Sequence, residues 1–301
     1  MSKIPFVYEE SVAYGRAERL SPRVRRVVAD NASAFTYHGT GTYIVGSGEV
    51  AVIDAGPADP RHIDAILAAT RGETITHQLV THTHNDHSPG AALLKQATAA
   101  ETWAFGPHGS GRPEPGIVVE EGADHEFSPD HRVRHGDTIE GAGWTVEAVF
   151  TPGHTSNHVC FALTEDQALF SGDHVMGWST TVVSPPDGDM AAYMASLALL
   201  LDRHDAVYYP THGPAITDPK THVAALIAHR RERERQIMAQ LKAGRHTIAD
   251  MVEIMYADIH PRLHPAARRS VLAHLIHMTE TAKVVTDGAP EEGSVYRLAE
   301  G

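Results

Sequence analysis

Residues 81–90 read "THTHNDHSPG" and place His82, His84, Asp86 and His87 within six positions, straight after a strand candidate at 75–80. Four such side chains on so short a segment are poor core material, because each must find a hydrogen-bonding partner or stay in water. A metal site and a polar surface loop are the competing explanations. The rest of the chain decides between them.

The same feature recurs wherever a strand candidate stops. After "WTVEAVF" (144–150) stands "TPGHTSNH", with His154; after "ALF" stands "SGDHV", with Asp173; after "VYYP" stands "THG", with His212. Rigid strands aim the loops that follow them, so strand ends are where a β-rich scaffold presents reactive groups. Imidazole nitrogen and carboxylate oxygen suit zinc, and also manganese, iron or nickel. Seven donors are too many for one tetrahedral ion and about right for two ions sharing a carboxylate and a water. Such pairs lie about 3.5–4 Å apart and lower the pKa of bound water to about 7, giving a bridging hydroxide as nucleophile.

Composition sets the bounds. The 301 residues are 42% hydrophobic and 21% charged, ordinary for a globular protein of one large domain with a small appendage. The N-terminus lacks a secretory pattern, and the longest apolar run, 190–201, falls short of the roughly 20 residues a bilayer needs. The single Cys160 excludes an internal disulfide and fits a reducing cytoplasm, where the chain is expected to reside. Net charge is −13, unevenly placed: residues 1–217 carry 13 Lys and Arg against 27 Asp and Glu, and residues 218–287 carry 11 against 8. An acidic main domain repels polyanions at long range.

Strand-and-turn sequence at 24–54, helices at 62–69, 91–99 and 191–201, and the strand series above describe one β-rich domain over 1–217. Residues 106–137 read as loops with one or two short edge strands. From 218 the pattern changes. Helical periodicity runs through Val223, Leu226, Ile227, Ile237, Met238 and Leu241, further helices follow at 247–256 and 266–283, and "KVVTDGAPEEGSVYRL" reads as a hairpin. This is the outline of a winged-helix-like domain over 218–301, with Val223, Leu226, Met238, Leu241, Val252, Met255, Leu272, Leu275 and Ile276 expected to be buried.

HTHNDH, then GHT, GD and a terminal HG, together resemble the metallo-β-lactamase superfamily, an α+β fold built as an αββα sandwich around a dinuclear site. The resemblance covers 24–217. It implies that His82, His84 and His154 hold one metal, that Asp86, His87 and His212 hold the other, and that Asp173 bridges. Asp86 and Asp173 become the catalytic carboxylates, with Asp86 also positioning the nucleophilic water, and the implied cofactor is two zinc ions, manganese or iron being alternatives.

Departures from the pattern narrow the chemistry. Zinc β-lactamases carry a cysteine as second-metal ligand where Asp173 stands, and Cys160 lies within a strand candidate. Flavodiiron proteins carry Glu where His84 stands. The iron persulfide dioxygenases share much of the motif, but "THGP" favours a hydrolase. Only 39 positions separate Asp173 from His212, which leaves no room for the cap domain of one RNA-processing branch, and no basic arm like that of ribonuclease Z is present. What remains is similar to lactamase-beta-like hydrolases with a C-terminal winged helix, although Gly41 replaces an expected Asn and Thr211 a usual Gly. The reading is a hydrolase of small acyl substrates such as thioesters or lactones. A single-strand-specific endoribonuclease is the runner-up; a glyoxalase II-like thioesterase proper, a β-lactamase and a non-catalytic module rank lower. No membrane partner is expected, and a homo-oligomer is left open.

His174, next to Asp173, is a candidate either to donate to substrate or to stand behind the ligands, and His158 is a candidate to orient the His154 loop. His108, His125, His131, His135 and the C-terminal histidines read as surface. "HRRERER" (229–235) reads as a solvated helix face paired through Arg230–Glu234 and Glu232–Arg235. Met176, Trp178 and Tyr193 suit either a pocket wall or the core.

Overall fold

The computed structural model describes residues 3–112, 122–258 and 260–299. Strands β1 (Ala17–Arg19), β2 (Val24–Val28), β3 (Gly41–Ser47), β4 (Glu49–Ile53), β5 (Thr74–Leu79), β6 (Glu101–Ala104) and β7 (His131–Arg132) form one sheet in that order. Strands β8 (Thr138–Gly141), β9 (Trp144–Phe150), β10 (Val159–Leu163), β11 (Ala168–Gly172) and β12 (Val207–Pro210) form a second, ordered β12-β11-β10-β9-β8. Side chains alternate between the faces of each strand. Tyr43, Val45, Ala51 and Ile53 of the first sheet therefore meet Val146, Ala148, Phe161 and Phe170 of the second in a central core. The opposite set, Ile44, Val50 and Val52, packs under helices α1 (Pro60–Ala69) and α2 (Gly90–Thr98) through Ile63, Ile66 and Leu94. On the far side Val149, Cys160 and Leu169 pack under helix α3 (Met190–Leu201) through Tyr193 and Leu197. The order is helix, sheet, sheet, helix, the αββα sandwich.

Helix starts follow local chemistry. Asp59, Asp189 and Asp218 each cap a first turn by accepting a backbone N–H, and Pro60 and Pro219 occupy first helical positions, where no N–H is needed. The long helix α4 (Pro219–Lys242) serves two cores. Val223, Leu226 and Ile227 lie in the α3 layer, whereas Ile237 and Leu241 pack with α5 (Ile248–Met255), α6 (His264–Glu280) and the antiparallel hairpin of β13 (Val284–Thr286) and β14 (Tyr296–Leu298). Three helices and a hairpin make the winged-helix unit, which leans on the sandwich through Ala273 of α6.

Several expectations need correction. Val223 and Leu226 are buried, but in the sandwich rather than the winged-helix unit; Met238, Met255, Leu272 and Ile276 are only half-buried at its margin. Arg230 is 3% exposed and makes no pair with Glu234, which instead meets His277 and Lys283. The cause is position: Arg230 falls on the same helical stripe as Val223, Leu226, Ile227 and Ile237. His222 and His274 are buried by the same logic on α4 and α6, and the His108 side chain is enclosed at 2% exposure. His125 and His135 are exposed, and the Glu232–Arg235 pair forms as expected. Of the segment 106–137, residues 113–121 lie outside the described residues.

Two outcomes follow from this packing. Leu226→Ala should cost about 2–5 kcal/mol of global stability, whereas Ile237→Ala should raise hydrogen exchange only within 237–299. Uniform exchange changes in both variants would contradict the two-core reading. His62, on α1, donates from Nε2 to Thr42 Oγ1, and burial pushes its pKa down to about 4 from the ordinary value near 6.5. A histidine held neutral stabilises above pH 6.5, and that stability is lost as pH falls from 6.5 to about 4. Melting temperatures across this window should fall less steeply in His62→Gln than in the parent chain.

Candidate metal centre

Strands β9, β11 and β12 run in one direction, as do β4, β5 and β6, so the loops after them emerge at common edges of the two sheets. The loop after β5 carries His82, His84, Asp86 and His87; the loops after β9, β11 and β12 carry His154, Asp173 and His212. All seven converge. His84 Nδ1 lies 3.0 Å from His82 Nε2 and 3.1 Å from His154 Nε2. Asp86 Oδ2 lies 3.1 Å from His212 Nε2 and 3.4 Å from His87 Nε2. Between these groups stands Asp173: Oδ2 is 3.7 Å from His154 Nε2, while Oδ1 is 3.5 Å from His212 Nε2 and 3.7 Å from His87 Nε2. Three sets, His82–His84–His154, His82–His87–Asp173 and Asp86–His87–His212, bring donor atoms within 4.8 Å of one another.

In His154, His212, His82 and His87 the other ring nitrogen fixes the tautomer. His154 Nδ1 donates to Val182 O at 2.7 Å and His212 Nδ1 to Gly39 O at 3.1 Å, which leaves Nε2 of each turned to the centre. Thr81 Oγ1 spends its proton on Asp54 Oδ2, so His82 Nδ1 donates to Thr81. Asp54 also accepts from His87 Nδ1 at 3.0 Å, from Thr81 N and from Thr211 Oγ1. Burial alone would raise the carboxyls of Asp86 and Asp173, but the imidazoles of His87 and His212 overcome it and hold both below the usual range. Burial, with His87, His84 and His154 adding to it, pushes His82 well below the ordinary histidine value.

Backbone conformation at two glycines completes the placement. Gly172 has φ +53°, and a Cβ there would lie 2.4 Å from His158 Nε2. Gly153, at φ +139°, passes the α3 backbone so closely that a Cβ would meet Tyr193 Cα at 2.4 Å. Both positions require glycine. His158 receives the backbone N–H of Asp173 on Nε2 and donates from Nδ1 to Thr151, the first residue of the His154 loop, so it supports both Asp173 and that loop. His174 is enclosed beside Tyr193, both rings in the packed layer behind the centre, and neither ring nitrogen of His174 has a hydrogen-bond partner. Met176 is buried there too, whereas Trp178 is half-buried, stacked on Tyr37 at 4.9 Å.

Sequence reading passes over Asp54 and Arg26 and places Arg230 on a solvated helix face. Asp54 stands at the end of β4 in "VIDAG", the same strand-end signal that marked the ligand loops. Arg26 is buried and donates to Gly213 O, Glu9 and Glu18, steadying the turn after His212. The Gly41 N–H donates to Thr211 O at 2.7 Å, and a Cβ there would lie 3.1 Å from the same oxygen. From α4, Arg230 donates to Thr181 O; Thr181 Oγ1 donates to Asp173 O at 2.8 Å, and the next carbonyl, Val182 O, holds His154.

A sequence model of the metallo-beta-lactamase superfamily matches residues 37–212, and one of the beta-lactamase associated winged helix domain matches 247–293. An atrochrysone carboxyl ACP thioesterase from Aspergillus chevalieri is 34% identical over 82% of this chain and 75% of its own length. A beta-lactamase-like protein 2 homolog from Drosophila melanogaster is 33% identical over 93% and 96%. The crystal structure of a beta-lactamase domain protein from Burkholderia ambifaria superposes with a TM-score of 0.77 at 20% identity, covering 98% of this chain and 97% of that one. The chain belongs to the metallo-β-lactamase superfamily, with a C-terminal winged helix, and is a metal-dependent hydrolase of that superfamily.

Arg230 connects helix α4 to two candidate ligands through one loop, so Arg230→Met should weaken divalent-metal affinity about 10–100-fold, the usual effect of losing an outer support. Arg230→Lys, which keeps a donor, should recover part of it. Unchanged metal affinity in a folded Arg230→Met protein would show that the loop holds itself.

Proposed function

We propose that the chain is a dizinc hydrolase of small acyl thioesters. The observation that carries the reading is the two-sided placement of Asp173, one carboxylate oxygen facing each donor group. The donor set fits the ions: His87 Nε2 and Asp173 Oδ1 are buried without a hydrogen-bond partner, an arrangement that is costly unless a cation accepts their lone pairs. His82 Nε2, His84 Nδ1 and His154 Nε2 would hold one zinc, Asp86, His87 and His212 the other, and Asp173 both; iron or manganese would satisfy the same donors. Bound there, the ions would acidify water and polarise a carbonyl.

The chain's own groups do the rest. Asp86 is the more open of the two carboxylates, with a side chain 27% exposed against 11% for Asp173, so it orients the attacking water and accepts its proton. The water oxygen joins the carbonyl carbon, the C–S bond breaks, and the proton held at Asp86 passes to the departing thiolate. Asp54, Thr81 and Thr211 keep His87 and His82 aligned without themselves meeting substrate. Thioester chemistry is supported by the names of relatives such as the Aspergillus chevalieri thioesterase. RNA is disfavoured by the use of the arginines: Arg230 is buried, Arg233 lies over the Tyr256 ring, and Arg235 and Arg268 pair with Glu232 and Glu292.

Metal analysis should give close to two ions per chain. Asp173→Ala should lose both, and His82→Ala chiefly one; a single ion unaffected by Asp173→Ala would refute the dinuclear site. Hydrolysis of a neutral thioester should depend only weakly on salt in kcat/KM. Single-stranded RNA contacts would instead give a log–log slope of about −0.7 per phosphate. Steeply salt-dependent RNA cleavage, abolished by Asp86→Ala, together with inert thioesters, would replace this reading with the nuclease.

A further inference from the structure

A cavity of about 580 Å³ opens between the N-terminal segment, the loop that follows Asp173 and helix α4. Its apolar wall is made by Ile4, Phe6, Trp178 and Ala228, with Thr180 and His229 alongside. The volume lies within the range of small-molecule sites. Its loop wall, Trp178 to Thr180, runs directly into Thr181 and Val182, whose contacts hold Asp173 and His154. At the other end of that wall the Trp178 ring lies against Gly213, beside His212, where a Cβ would meet it at 3.0 Å. Nothing in the proposed chemistry uses this space.

Resting on the thioesterase reading, we propose that this cavity receives the acyl group of the substrate, and that it selects an extended, uncharged apolar acyl chain over acetyl. Charge decides which half of a thioester fits. Of the charged lining residues, Lys3 is exposed and Arg235 is paired with Glu232, while burial together with Arg230 and Arg233 pushes His229 down to about 4. A carrier thiol brings a large polar body that gains from water; an acyl chain gains from leaving it. Val182, two residues beyond the cavity wall at Thr180, is apolar and 39% exposed, and its carbonyl holds His154.

The test uses acetyl, butyryl and octanoyl thioesters of one small thiol, N-acetylcysteamine, with the metal-loaded full chain. Burying each methylene contributes about 0.8 kcal/mol, roughly fourfold. The octanoyl ester should therefore exceed acetyl by at least 100-fold in kcat/KM. Ala228→Trp, at an exposed helix position that lines the cavity, should lower the octanoyl-to-acetyl ratio at least tenfold, and Phe6→Ala should lower it by removing the opposite wall. The uncleavable S-octyl thioether of the same thiol, titrated by calorimetry, should bind the parent chain at least tenfold more tightly than Ala228→Trp. A flat chain-length profile, unchanged in both variants, would overturn the acyl cavity and leave the thioesterase standing. If no thioester is cleaved, the thioesterase reading fails, and the thioether still decides the cavity: equal binding to parent and Ala228→Trp overturns it, and the tenfold difference upholds it.

Discussion

Seven candidate metal-binding side chains can crowd together, mostly out of water, only if their mutual repulsion and lost hydration are compensated, and one group stands between both halves of the cluster. Asp86 and Asp54 offset the charge on one side, and the group between the halves is the Asp173 carboxylate. Each oxygen faces a different cluster of imidazole nitrogens, and Oδ1 has no hydrogen-bond partner of its own. The surrounding architecture serves that placement. Gly172 turns the chain into Asp173, His158 takes its backbone N–H, and Thr181 holds its carbonyl. None of these groups needs to touch substrate. They remove the freedom that would let the carboxylate swing to a single partner.

The convergence of the candidate ligands is legible because both of their signals are local. A polar His or Asp directly after an apolar, alternating run states both its chemistry and its placement at a strand end, and four such runs sufficed. Asp54 carried the same signal in "VIDAG" and escaped notice because it stands alone, without a histidine beside it. Arg230 escaped for a different reason. In "HRRERER" the i,i+4 charge pattern suggested a solvated face, but helical periodicity from Val223 through Ile237 passes through Arg230, and burial follows the stripe. Where charge pairing and hydrophobic periodicity disagree on a helix, a long arginine can satisfy the stripe with its stem and carry its head to a carbonyl, here that of Thr181. Periodicity was the better guide.

The winged-helix unit was legible as an outline but not in its attachment. Helices and hairpin stand close to where their patterns placed them, because caps and turns are local. Which core Val223 and Leu226 join depends on tertiary packing, and in the fold α4 enters the sandwich before it reaches the small domain. Through Arg230 the same helix reaches the Thr181 carbonyl, in the loop whose Thr181 hydroxyl holds the Asp173 carbonyl and whose Val182 carbonyl holds His154.

The same layout separates what must stay fixed from what is free to vary. The centre is locked from within by hydrogen bonds among Asp54, Thr81, Thr211 and His87, side chains buried between rigid strand ends. The cavity beside it is walled by the N-terminal segment, a loop and one helix flank, and Ile4, Phe6 and Ala228 could each change without disturbing a ligand. A fold that confines its metal chemistry to strand ends and leaves its pocket to peripheral elements can keep one reaction and exchange substrates. The wall residues, rather than the histidine motif, therefore carry the information about what this chain hydrolyses.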